Sequence, residues 1–321
     1  MNRLSISVIV ETVTRDDYAP RHVADALQGS IEAIGRQTYP RELIETIVVV
    51  DGMFDRRDAG ELLRRHPSVT LVESPEHNYF AAKNAGARSA SGSLIVLLDG
   101  DCEPAEDWLE MLASRFEPGV DAVAGRTRYT GNSLGARTFS VSDFSNVVGD
   151  ETGAASGFNL NNVAFRREVL LAHPLDARVR RNGGCYLLYH QLRAAGARIL
   201  YEPRATVRHG LDIRGFGFVK KHFERGFDGV SVYRVDDGAV LRGTRLFRRF
   251  GVLALAAFTC RRVVFDWVRL LRDRRQIGVS PITFPYFALI SVMTRLIELT
   301  GGVTALARSP RATMVTAATP R

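Results

Sequence analysis

Short aliphatic runs alternating with stretches of helical spacing constrain this chain more than any other feature of it. Residues 5–10, 47–50, 70–72, 94–98 and 120–124 are β-branched or aliphatic, and 23–36, 57–64, 80–90 and 106–115 between them carry helix-like patterning. Such alternation predicts an α/β fold: a mostly parallel sheet sandwiched by helices, with the strands buried. Ligands of sheets like this bind outside the carboxyl ends of the strands, so the residues that end each run carry the functional information.

Asp99-Gly100-Asp101 stands at one such end, directly after Leu94-Ile95-Val96-Leu97-Leu98. Strand side chains alternate, so both carboxylates can leave on the same side, and Gly100 lets another group approach the backbone. Two carboxylates so placed can hold a hard cation through oxygen, and that cation can clamp a diphosphate. Asp51 closes the run 47–50, one strand away, and is expected in the same crevice. A calcium loop is the competing arrangement, because Asp99, Asp101, Glu103 and Glu110 fall at ligand-like intervals. Pro104 takes the place where that loop needs glycine, and a strand precedes it rather than a helix. Glu11-Thr12-Val13-Thr14 follows the first run where a dinucleotide enzyme has a glycine-rich turn, which argues against nicotinamide chemistry and against a nucleotidyltransferase loop.

The 321 residues allow one large α/β domain with an appendage, or two domains, and 45% hydrophobic content suits a substantial core. A formal charge of +8 calls for a negative partner: nucleic acid, anionic lipid or nucleotide phosphates. The excess is local, since Arg242, Arg245, Arg248, Arg249, Arg261, Arg262, Arg269, Arg272, Arg274 and Arg275 crowd the last quarter. Cys102, Cys185 and Cys260 are far apart and odd in number, which fits neither a zinc pattern nor a disulfide framework and points to a reducing compartment. Met1-Asn2-Arg3-Leu4 runs straight into the first aliphatic run, so a cytoplasmic location is expected.

Within 246–271 the apolar Leu246, Phe250, Leu253, Ala257, Cys260, Val264, Trp267 and Leu271 recur at steps of three and four, with arginines on the remainder. A second apolar stretch, 283–293, is cut short by Arg295 and Glu298, so it is expected to lie in a membrane interface rather than cross it. Packing on the domain or on a second subunit is the alternative; the arginines favour peripheral contact with the inner membrane face. Aromatic residues there fall on the apolar face, which argues against nucleic acid. Residues 126–157 are expected to contain loops bordering the crevice, 185–195 reads as a helix ending at Gly196, 198–201 as extended, and the polar residues 309–321 as a flexible tail. His190 and His222 read as structural.

At this point the chain resembles the family 2 glycosyltransferases, over roughly residues 5–226. Ser5-Ile6-Ser7-Val8-Ile9-Val10, Gln37-Thr38-Tyr39-Pro40 and Val48-Val49-Val50-Asp51-Gly52 are similar to its opening phrases, although Glu11 stands where proline is commoner. Asn78, Ala82, Lys83, Asn84 and Gly86 are similar to the helix before its metal motif. Ser156-Gly157-Phe158-Asn159-Leu160 with Phe165-Arg166-Arg167 resembles its acceptor-side segment, and Tyr201-Glu202-Pro203 through Val207-Arg208-His209 its closing strand. The resemblance implies a GT-A fold over residues 1–230; beyond it, the arginines and apolar spacing make 231–308 a basic amphipathic helical region expected at a membrane. It implies transfer of a sugar from a nucleoside diphosphate, UDP in the first instance, to a glycan or lipid-linked acceptor, with inversion. It also implies roles for individual residues. Asp51 would read the base and Thr12 would lie against the nucleoside. Asp99 would sit near ribose and metal, Asp101 would ligate Mg²⁺ or Mn²⁺, and His209 would stand on the metal or diphosphate side. Lys83 and Arg225 would offset charge on the diphosphate.

One departure stands out. Where the family has a Glu-Asp pair opening the acceptor helix, its second acid serving as base, this chain reads Gly183-Gly184-Cys185-Tyr186. A thiol of pKa ~8.5 is a poor substitute for a carboxylate in that role. Asp150, Glu151 and Asp176 in flanking loops are the candidate replacements. The other readings are an acceptor that needs no enzyme base, or a non-catalytic nucleotide-sugar-binding or partner subunit.

Overall fold

A computed structural model describes residues 3–12, 20–52, 54, 56–130, 134–179, 181–210 and 216–308; the expected tail 309–321 and the residues Val13 and Thr14 lie outside the described residues. The chain runs β1 (Ile6–Glu11), α1 (Pro20–Gly35), β2 (Ile44–Val50), α2 (Arg56–Arg65), β3 (Val69–Glu73), α3 (Tyr79–Ser89) and β4 (Leu94–Asp99). Next come β5 (Cys102–Pro104), α4 (Trp108–Ala113), β6 (Ala122–Tyr129), α5 (Leu134–Phe144), β7 (Val163–Arg166), α6 (Arg167–Ala172), α7 (Gly184–Ala194) and β8 (Ile199–His209). Helices α8 (Gly217–Val235), α9 (Gly243–Phe250), α10 (Val252–Arg272), α11 (Arg274–Ile277) and α12 (Phe284–Ala307) follow.

The strands form one eight-stranded sheet in the order β3-β2-β1-β4-β7-β6-β8-β5. Strands β1 to β4 pair in parallel as the alternation predicts, and β6 pairs in parallel with β8. Short β7 is antiparallel to both β4 and β6, and β5 is antiparallel to β8. Only Gly100 and Asp101 separate β4 from β5, yet the two strands lie four places apart in that order. The sheet must therefore curl until its far edge comes back to the tip of β4, and that curl brings Asp101 and His209 together. Apolar side chains of β1, β2 and β4 fill both faces: Ile9, Ile47 and Leu97 on the α3 and α7 side, Val8, Val48 and Leu98 on the α1 and α4 side. Burial on two faces explains why these runs carry no polar alternation.

Several expectations change. Besides loops, the segment 126–157 holds the end of β6, which continues to Tyr129, and all of α5. The 230/231 boundary falls inside α8, so the helical region starts at Gly217. The amphipathic stretch 246–271 divides into α9 and α10 at Gly251. Arg295 and Glu298 do not end α12, which runs unbroken for 24 residues because both side chains are buried and paired. Among the described residues, α12 is long and apolar enough to cross a membrane by length and composition.

Helices α8 and α12 touch through glycine: a Cβ on Gly226 would lie 1.8 Å from the Glu298 carbonyl oxygen, and one on Gly301 2.0 Å from that of Phe223. Backbones this close tolerate no side chain at the crossing, the small-residue packing common between helices in lipid.

Candidate cation and nucleotide site

The tips of β1, β2 and β4 carry a row of acids. Glu11 ends β1 in register with Asp99 of β4, and Asp51 follows β2. Asp51 is thus two strands from Asp99 rather than one, because β1 lies between them; two strand spacings put the tips roughly 10 Å apart. The Asp51 carboxylate is buried and paired with His77, a partner the sequence reading did not name. Thr12 sits between the two acids in the same crevice, with its hydroxyl donating to the Val49 carbonyl at 3.0 Å. The group that approaches Gly100 proves to be the Glu11 backbone, whose carbonyl accepts from the Gly100 amide at 3.1 Å.

Asp99 is held on one oxygen. Lys83 Nζ at 2.7 Å and the Tyr79 hydroxyl at 2.8 Å both donate to Oδ1, which leaves Oδ2 for another ligand. Burial pushes the Asp99 carboxyl up, but the Lys83 ammonium, His209 and the Tyr79 hydrogen bond together outweigh it and hold the group below the usual carboxylate range. Asn78 caps α3 by accepting from the amides of Phe80 and Ala81, and this cap sets Tyr79 and Lys83 on the turn that faces β4.

Lys83 differs from expectation. Its side chain is 0% exposed, and its ammonium donates to Asp99 and to the carbonyls of Leu98 and Leu160, three bonds for three protons. No donor remains for a diphosphate, so Lys83 is the internal counter-ion of Asp99.

Donor atoms of Asp99, Asp101, Cys102 and His209 all lie within 4.8 Å of one another. Burial pushes the Cys102 thiol well up, with Asp101 and Asp99 adding to the effect, and its soft sulfur does not suit the hard cations that carboxylates take. Two carboxylates and an imidazole remain, a set that fits Mg²⁺ or Mn²⁺ better than the thiolate-rich sites zinc favours. His209 ends β8 opposite both Cys102 and Tyr129. Its Nδ1 lies 2.8 Å from the Gly210 carbonyl, which can only accept, and 3.5 Å from Asp101 Oδ2, so Nδ1 carries a proton there.

Arg225 is also displaced from its expected role: it donates to Asp143 Oδ1 at 2.8 Å from within α8. Asp143 further accepts from the Tyr129 hydroxyl at 2.6 Å and pairs with Lys221 at 2.8 Å. Nothing in the local sequence marked Tyr129 or Asp143, since their meeting depends on how α5 folds back on β6.

The substitute bases fare poorly. Asp150 and Glu151 lie in a turn whose Ala154 bridges Leu200, early in β8. Leu200 is level with Val123 and His209 with Tyr129, six residues of β6 apart, which places that turn roughly 20 Å from the cation cluster. Asp150 Oδ1 is bonded to the Thr152 hydroxyl and the Ala154 amide, and these hold its pKa down. Asp176 lies beside α3 but gives its oxygens to Arg178, whose hydrogen bonds keep it below the usual range. The space at the start of α7 is already filled. A Cβ on Gly184 would lie 2.3 Å from the Phe80 ring, and one on Gly183, already at φ +100°, 2.5 Å from Val232. Cys185 follows, and burial pushes its thiol up, away from a useful base.

Comparison with known proteins matches residues 7–168 to the model of Glycosyl transferase family 2. The Haloferax volcanii glycosyltransferase AglE is 32% identical over 130 residues, 39% of this chain, and the match spans 42% of that relative's length. A glucosyl-dolichyl phosphate glucuronosyltransferase of the same organism is 27% identical over 230 residues, 65% of this chain and 70% of its own. The mannosyltransferase PcManGT from Pyrobaculum calidifontis, solved with GDP-mannose and Mn²⁺, superposes with a TM-score of 0.61 at 19% identity. That superposition covers 95% of this chain and 88% of that one, and it bears out the GT-A fold.

Proposed function

Since the chain belongs to glycosyl transferase family 2, we propose that it moves a sugar from a nucleoside diphosphate donor to a hydroxyl of a lipid-linked or polysaccharide acceptor. The observation that carries this reading is the convergence of Asp99, Asp101 and His209 within 4.8 Å at the carboxyl end of the sheet. These three would hold Mg²⁺ or Mn²⁺, which when bound supplies Lewis-acid stabilisation of the departing diphosphate. Asp51 and Thr12, at neighbouring tips, are suited to the base and ribose, uracil in the first instance. Lys83 and Tyr79 keep Asp99 ionised and oriented. The GDP-mannose and Mn²⁺ of the Pyrobaculum structure and the glucosyl-dolichyl phosphate for which the Haloferax enzyme is named are compatible with this assignment.

The outer face of the helical region supports an acceptor met at a membrane. Leu253 is 73% exposed, Val264 60% and Leu289 60%, and Trp267, Leu271 and Leu296 are exposed with them. An apolar face of this extent, bordered by arginines, suits the anionic inner leaflet.

Calorimetric titration of UDP and GDP, with and without Mn²⁺, tests the donor site. Metal-dependent binding by the wild type and its loss in Asp101→Ala are expected; binding indifferent to both would end the proposal. A second reading, a nucleotide-sugar-binding subunit without turnover, is favoured by the occupied space around Gly183 and Gly184. Transfer assays over a panel of nucleotide sugars with Mn²⁺ separate the two.

A further inference from the structure

His209 is brought to the cation cluster from the far end of the sheet, and among the described residues the polar contacts of its ring lie along the Nδ1 edge, 2.8 Å from the Gly210 carbonyl and 3.5 Å from Asp101 Oδ2. Its faces are packed instead: the Tyr129 ring centroid lies 5.1 Å from it and that of Phe144 5.9 Å. Tyr129 is itself clamped at both ends by α5. Its amide donates to the Ser140 hydroxyl at 3.0 Å, and its own hydroxyl donates to Asp143 Oδ2 at 2.6 Å. Asp143 has a side chain only 1% exposed and faces Lys221 at 2.8 Å, Arg225 at 2.8 Å and His222 at 3.8 Å, all on α8. Lys221 also donates to the Tyr129 hydroxyl.

We propose that Tyr129 and Asp143 are positioning residues for the cation site: the Tyr129 ring sets the His209 imidazole, and Asp143, anchored by α8, sets Tyr129. The proposal rests on the reading of Asp99, Asp101 and His209 as cation ligands. It makes the helical region part of the active site, because α8 supplies the cations that keep the Asp143 carboxylate charged in a buried place. Burial alone would push that carboxyl up; Arg225, Lys221 and His222 hold it well below the usual carboxylate range. Groups that orient a metal-ligating imidazole govern how tightly the metal is held, and their loss weakens affinity by about 10- to 100-fold.

The test is Mn²⁺ affinity of the full chain, read from the electron paramagnetic resonance of free Mn²⁺ and by calorimetry with UDP present. Tyr129→Leu removes the ring and is expected to weaken Mn²⁺ binding by about 10- to 100-fold, with turnover recovering toward wild type at saturating Mn²⁺. Asp143→Asn is expected to weaken it in the same way. Tyr129→Phe keeps the ring and cuts its hydroxyl links to Asp143 and Lys221; it gives a smaller loss of the same sign and decides the matter should Asp143→Asn fail to fold. Variants that melt earlier but bind Mn²⁺ as the wild type does would show a merely structural role and overturn the proposal. A wild type that binds no Mn²⁺ with or without UDP would overturn the cation reading itself.

Discussion

The sheet domain and the helical region solve the placement of charge in opposite ways. In the sheet domain, Ile9, Val48, Leu97 and their neighbours fill the interior, and Glu11, Asp51, Asp99 and Asp101 crowd the strand tips. In the helical region the ions lie inside. Asp266 of α10 pairs with Arg295 of α12 at 2.8 Å, Arg295 with Glu298 at 2.6 Å, and Glu298 reaches His222 of α8 at 3.4 Å. Leu253, Val264, Trp267 and Leu271 of α10 face outward. Burying a large apolar side chain is worth about 1.5–3 kcal/mol, so a region that leaves this many in water forfeits more than a buried ion pair returns. The arrangement is economical only if another apolar phase covers that face. On the proposed reading, in which that phase is lipid, the difference between the regions is one of solvent: water and phosphate oxygens over the strand tips, lipid over α10 and α12.

The largest effect expected of any substitution is at the strand tips. Asp101→Ala should lower transfer by about 10³-fold or more, since the cation's stabilisation of the leaving group is worth several kcal/mol. A loss of less than tenfold in a transfer assay would break the contrast on its sheet side. Next, Arg295→Leu removes the cation that Asp266 and Glu298 share, leaving Arg269 at 3.3 Å from the first and Arg262 at 3.5 Å from the second, and should cost about 3–5 kcal/mol by thermal or denaturant unfolding in detergent. A quadruple change of Asp266, Arg269, Arg295 and Glu298 to apolar residues should cost much less. Equal losses in both would mean that the buried ions matter one by one rather than as a balanced set.

Leu253→Glu with Val264→Glu should reduce flotation with anionic vesicles by at least about tenfold, from the two burials forgone, while UDP binding stays unchanged. Undiminished flotation would assign that face to a protein neighbour instead of lipid. Acid titration gives a smaller signal. The Asp143 carboxyl is depressed when folded, so its contribution is complete above the unfolded pKa of about 4 and is lost as pH falls below that value. Asp143→Asn should therefore flatten the acid limb of stability below about pH 4, as melting curves across that range would reveal. Smallest of all, Asp150→Ala with Glu151→Ala should leave turnover unaltered, because their turn lies at the wrong end of β8. A marked fall in kcat would return the catalytic base to that loop.

Much of the sheet could be read directly. The runs 5–10, 47–50 and 94–98 became β1, β2 and β4 because strands buried on both faces leave an unbroken apolar signature. Asp51, Asp99 and Asp101 followed, since a carboxylate just after such a run must sit at the sheet's rim. Short β7 escaped notice because Val163–Arg166 is too brief to show a period, and its antiparallel insertion is a matter of tertiary topology. Lys83 was placed in the right neighbourhood and given the wrong partner: helical spacing puts it near β4 but does not report that two carbonyls and Asp99 consume its protons.

Local chain chemistry by itself determined the strands, the acids at their tips and the amphipathic character of 246–271, because each is written in periods of two to four residues. Three things were decided only by the tertiary structure: the curl that sets His209 beside Asp101, the clamp on Tyr129 from α5 and α8, and the side of α10 that faces outward. Each depends on residues brought together from far along the chain. An amphipathic helix declares that it has two faces, and only what packs against it selects the one that meets the interior.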